Sequence, residues 1–112
     1  MISTIYCNLN NSIKKTDVIN LFKDLQKINP FIKYIDNDET LDFFSVQNSN
    51  YCKIKIFNHH SEDKIIIVSA IDNLIKGAAG QAVQCFNIAE NIQETESLVW
   101  LNILQFSFFP FS

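Results

Sequence analysis

The heptapeptide Lys64 to Ala70, KIIIVSA, constrains this chain more than any other segment, because a nearly unbroken β-branched apolar run has no polar side to turn towards water. It is expected as a central strand buried on both faces. Just upstream, Tyr51 to Phe57 alternates Lys53 and Lys55 with Cys52, Ile54 and Ile56, the pattern of a half-buried strand. The polar stretch Asn58 to Asp63 between them reads as a turn, so the two strands form a hairpin.

Around that hairpin the remaining periodicities place further elements. Ile2 to Leu9 favours a strand and gives way to the polar turn Asn10, Asn11, Ser12. Val18, Leu21, Phe22, Leu25 and Ile28 then recur at helical spacing, with Lys14, Asp17, Lys23, Asp24 and Lys27 elsewhere, and the helix stops before Pro30. Phe31 to Ile35 is a short strand, the acidic run Asp36 to Glu39 a solvated loop, and Phe43 to Val46 a further short strand. A second helix is expected from Lys76 to Asn91, KGAAGQAVQCFNIAEN. At 100° per residue, Gly77, Gly80, Gln81 and Gln84 share one side, and Ala79, Ala82, Val83 and Phe86 share the opposite one, which should pack on the sheet. The mixture, with its long hairpin, predicts α+β architecture with a mixed or antiparallel sheet and two main helices.

A chain of 112 residues with 47% hydrophobic and 19% charged content builds one domain and excludes collagen-like and strongly disordered classes. A formal charge of -3 without a Lys cluster argues against nucleic acid or an anionic membrane as partner. Cys7, Cys52 and Cys85 are too few and too widely spaced for a disulfide framework or paired zinc ligands, which fits a reducing, cytoplasmic setting. The N-terminus carries no secretory pattern. The tail from Val99 to Ser112 is apolar and uncharged, but its length is insufficient to span a bilayer as a helix.

The segment IIIVSAIDNLIKGAAGQAVQ, Ile65 to Gln84, resembles the signature near the C-terminus of N-acetyl-gamma-glutamyl-phosphate reductases. The likeness continues through Asn87 and ETESL, Glu94 to Leu98, and upstream through MISTIYCNL, NPFIKYI and VQNSNYCKIKIF. It covers residues 1–98, leaving 99–112 as an atypical tail, and IAEN stands where the family has an MFG-like turn. The resemblance implies part of a glyceraldehyde-3-phosphate-dehydrogenase-like C-terminal domain. It also implies NADPH-dependent reduction of N-acetyl-gamma-glutamyl phosphate to the semialdehyde in arginine biosynthesis, and a homo-oligomer for the intact enzyme. Met1 falls on a position internal to the family pattern, so the glycine-rich NADP-binding unit, the nucleophilic cysteine and the acid-base histidine would precede it. The chain alone is therefore expected to be inactive. A non-catalytic assembly module, or a fragment of a related aspartate-semialdehyde dehydrogenase, is the alternative; Gln81 and the ETESL ending favour the acetylglutamyl enzyme.

No catalytic residue is assigned. The resemblance points to the helix start for NADP, with Lys76, Gly77, Gly80, Gln81 and Gln84 as candidate cofactor-binding residues, since free N–H groups and the helix dipole favour an anionic or polar group there. Close packing alone would also explain the small residues. Asp72 and Asn73 are placed to cap the helix. The three cysteines read as buried, inert thiols, since none stands in the family's nucleophile context. His59 and His60 are adjacent in a turn and rarely would such neighbours converge on one ion, so no metal site is expected.

Overall fold

The computed structural model describes residues 1–99, and the expectations for the tail beyond Val99 lie outside them. Four strands form one sheet: β1 (Ile2–Asn8), β2 (Ile32–Tyr34), β3 (Cys52–Asn58) and β4 (Lys64–Ala70), in the order β1-β4-β3-β2. β4 pairs antiparallel with both β1 and β3, and β2 joins β3 in parallel, so the sheet is mixed around the expected hairpin. The crossover between β2 and β3 contains a single 3-10 turn, Phe44–Val46. That turn replaces the short strand expected there. Its cause is local: the Asp42 carboxylate accepts the Ser45 N–H at 2.7 Å, and the Ser45 hydroxyl donates to the Asp42 carbonyl at 2.9 Å.

Helix α1 (Lys15–Ile28) begins where the Asp17 carboxylate reaches back to the Lys14 N–H at 2.8 Å, and it ends with Asn29 donating to the Leu25 carbonyl ahead of Pro30. Its packing stripe is Val18, Ile19 and Phe22 against the buried cluster of Tyr34, Ile56 and Ile65, with Cys7, Leu9 and Ile67 around it. Leu21 and Ile28, expected on that stripe, are 56% and 77% exposed. At 100° per residue Leu21 and Ile28 fall outside the arc of Val18, Ile19 and Phe22 that meets the core.

The two faces of the sheet differ. The register sets Cys7, Ile65 and Asn58 in one row, and Ile5, Ile67 and Ile56 in the next, on the side that α1 covers. The opposite side carries the row Tyr6, Ile66, Phe57, and there Tyr6 is 72% and Phe57 41% exposed. β4 is thus central as expected, but among the described residues only one of its faces is fully covered. On the open side Lys55 is buried, because its ammonium is taken by the carbonyls of Asn37 and Glu39 and pins the acidic loop over the strand. The free edge of β2 is blunted by Gln26, whose side-chain oxygen accepts the Tyr34 N–H at 2.8 Å.

After β4 the chain makes a wide turn, Ile75–Ala79, and enters α2 (Gly80–Ala89). Among the described residues no helix is long and apolar enough to cross a membrane.

Candidate functional site

Asp72 organises the start of the second helix. One carboxylate oxygen accepts the N–H groups of Leu74 at 2.8 Å and Ile75 at 3.2 Å, and the other accepts the N–H of Asn48 at 2.9 Å. Of the two residues expected to cap, Asp72 does so, and its hydrogen bonds, led by those from Asn48 and Leu74, hold the carboxyl below the usual aspartate range. The turn that follows is wider than an α-helical one. The N–H groups of Gly77, Ala79 and Gly80 each reach five residues back, to the carbonyls of Asp72, Leu74 and Ile75. The helix closes at Asn91, whose φ of 55° is left-handed and suits asparagine; Asn91 and Ile92 donate to Ile88 and Asn87, a Schellman arrangement. The IAEN sequence therefore ends the helix with asparagine in the role glycine usually takes.

The orientation of α2 reverses the expectation. Gly80, Gln84 and Asn87 are its buried residues, whereas Val83, Phe86 and Ile88 are 37%, 59% and 56% exposed. Polar pairing decides this. Asn50, fully buried in the loop before β3, donates to the Gln84 carboxamide oxygen at 2.9 Å, and Lys76 donates to the same oxygen at 2.7 Å. The Gln84 nitrogen donates to Glu94 at 2.8 Å, while Asn87 donates to the carbonyls of Glu94 and Glu96. A helix docked through carboxamides turns its polar side inward, and directional hydrogen bonds fix its roll. Gly80 makes the approach possible: a β-carbon there would sit far inside contact with Asn50 Oδ1 and 2.7 Å from Ile75 Cγ2.

The five candidate residues consequently fall into two groups. Gly80 and Gln84 lie inside, committed to the chain's own packing; Gly77 and Gln81 are exposed, and Lys76 is half-buried over the Phe31 ring at 5.7 Å. A β-carbon on Gly77 would meet only Ile71 Cδ1 at 3.5 Å and the Asp72 carbonyl at 3.6 Å, so the fold itself does not demand glycine there. Asn50 and Glu94 were missed as site residues. Their signal is faint: one stands before a strand in a polar loop, and the other is legible only as part of ETESL.

The cysteines do not group into a nucleophilic centre. Cys52 is half-buried, and burial pushes its thiol up, against a smaller opposing pull from Lys76. Cys7 is half-buried, while Cys85, expected to be buried, is exposed because α2 is turned round. His59 lies edge-on to Tyr6 and accepts the Ser61 N–H at Nδ1, 3.0 Å away.

Comparison with known proteins adds the family. The model of the semialdehyde dehydrogenase dimerisation domain matches residues 1–73. The chain is 42% identical over 99 residues to the N-acetyl-gamma-glutamyl-phosphate reductase of Brachyspira hyodysenteriae, covering 88% of this chain and 28% of that protein. It is 42% identical over 95 residues to the reductase of the same name from Methanosphaera stadtmanae, covering 85% and 28%. Against the Clostridium botulinum strain Alaska E43 reductase it is 40% identical over 98 residues, covering 88% and 28%. The chain thus spans little more than a quarter of the length of these relatives.

Proposed function

This chain belongs to the semialdehyde dehydrogenase dimerisation-domain family, and from that premise we propose that it is the C-terminal part of an N-acetyl-gamma-glutamyl-phosphate reductase. In that reading the whole enzyme uses NADPH to reduce N-acetyl-gamma-glutamyl phosphate to the semialdehyde during arginine biosynthesis. The observation that carries the reading is the start of α2. Its inner side is locked by Gln84 and Gly80, and its outer side leaves Gly77 and Gln81 exposed, Gln81 donating only to the Cys85 sulfur at 3.5 Å and Gly77 standing where the fold does not require glycine.

The residues present fit a nicotinamide cofactor held from outside. Gln81 offers a carboxamide for polar contact and Gly77 allows close approach of a flat or phosphorylated group, while Lys76 is turned inward onto the Gln84 oxygen and acts by holding the turn. Gly80 and Gln84 act from within by setting the helix. NADPH, when bound, supplies the hydride; the chain's own part is to orient that group.

Acyl-phosphate reduction in this family also needs a cysteine thiolate. Cys52 is half-buried, and burial raises its thiol more than the neighbouring Lys76 lowers it, so it is not an activated thiolate. The chain alone should therefore show no NADPH-dependent turnover with N-acetyl-gamma-glutamyl phosphate. Turnover that persists after removal of contaminating reductase, and disappears on substituting one cysteine, would refute this reading. A second role, assembly, is favoured by the sheet row Tyr6, Ile66, Phe57, which no other described element covers: its apolar area suits contact with a second copy in a homo-oligomer, as the family's description implies.

A further inference from the structure

We propose that Asn50, Gln84 and Glu94 are positioning residues for the cofactor-facing start of α2, forming a one-way hydrogen-bond relay that holds Lys76 inward and leaves Gly77 and Gln81 outside. The inference rests on the reading of that helix start given above, but its geometry stands by itself.

The direction of the relay is dictated by its two ends. An ammonium can only donate, so Lys76 requires the oxygen of the Gln84 carboxamide. An ionised carboxylate can only accept, so Glu94 requires the nitrogen. Gln84 is thereby fixed in one orientation from both sides. Asn50 must then present its nitrogen to the shared Gln84 oxygen, and its own oxygen is left facing Gly80 with no hydrogen-bond partner although Asn50 is 0% exposed. A buried acceptor without a partner is costly. It is the consequence of a relay whose polarity is set by Lys76 and Glu94, and it explains why position 80 is glycine.

Lys76 reports on the relay. Burial pushes its ammonium below the ordinary lysine range, opposed by Cys52 of β3, Glu94 of the segment after α2, and Cys85 of α2 itself. Two substitutions in one relay should therefore move Lys76 in opposite directions. Gln84→Leu removes the tether, lets the side chain swing into water and returns its titration towards that of ordinary lysines. Glu94→Gln keeps the shape but removes an opposing charge, so Lys76 titrates lower still.

The test is NMR on the full 112-residue chain, following the Lys76 side chain through pH and the exchange of the Gly77, Ala78 and Ala79 amides. Gln84→Leu should speed exchange there by roughly tenfold. Phe86→Asp, on the outer side of α2, should move neither readout. If Gln84→Leu fails to fold, Glu94→Gln at the half-buried loop still decides the matter. An unmoved Lys76 titration in Glu94→Gln, or equal shifts in Phe86→Asp, would overturn the relay. Titration with NADP+ separates the underlying reading: shifts at Gly77 and Gln81 that weaken in Glu94→Gln support both. Shifts at neither residue in the wild-type chain refute the cofactor-facing role even if Lys76 responds as described.

Discussion

Gly80 is where a single atom decides the pose of a helix. A β-carbon at that position meets Asn50 and Ile75 at once, so Gly80→Ala should act as overpacking and cost about 1–3 kcal/mol. Phe86 is the reverse case, a large apolar residue 59% exposed. Phe86→Asp should change stability by about 0.5 kcal/mol or less, as surface substitutions do. Urea unfolding of the two variants checks the pair together. The amphipathic reading of the sequence alone expects the opposite order, so the reversed outcome would show that α2 packs by its apolar side.

At the scale of the element, the start of α2 depends on the ionised state of Asp72, which caps Leu74 and Ile75 and also ties down the Asn48 loop. Its folded-state pKa lies below the ordinary 3.8, so the native state binds this proton less readily than the unfolded chain does. The cap's contribution is therefore complete above that value and is lost as pH falls below it and through the depressed folded pKa. The Leu74, Ile75 and Asn48 amide proton resonances should move together with that acid titration in wild type. In Asp72→Ala the coupled movement should vanish; its persistence would assign the titration to another group. Helix α1, by comparison, is held by packing of Val18, Ile19 and Phe22, and its exposed ion pair Lys27 to Asp24 contributes little.

For the whole molecule, the lopsided sheet matters most. One side is sealed by α1, and the other presents Tyr6, Ile66 and Phe57 in a continuous row across three strands. If a second copy covers that row, Tyr6→Arg with Phe57→Arg should shift the chain towards monomer in sedimentation while leaving its thermal midpoint, measured at a dilution where the wild type is also monomeric, nearly unchanged. An unaltered distribution of species would place the contact elsewhere.

Strand and helix positions followed from the residues themselves, because β-branched runs, two-residue alternation and Pro30 act locally: β1, α1, β3 and β4 lie within a residue or two of where the sequence put them. The family was legible for the same local reason, in the unbroken likeness from Ile65 to Gln84. The Phe43 to Val46 segment was not, since its apolar residues look strand-like until the side chain of Asp42 offers the backbone a turn. The candidate site was legible in position but not in orientation. Periodicity separates the two sides of α2 without saying which one faces inward, and the usual inference that the apolar side packs assumes an apolar surface to receive it. What receives α2 is a buried asparagine from a loop thirty-four residues upstream of Gln84, with a glutamate ten residues beyond. Only the tertiary structure brings those groups together, and once they meet, pairing the Gln84 and Asn87 carboxamides outweighs burying Val83 and Phe86.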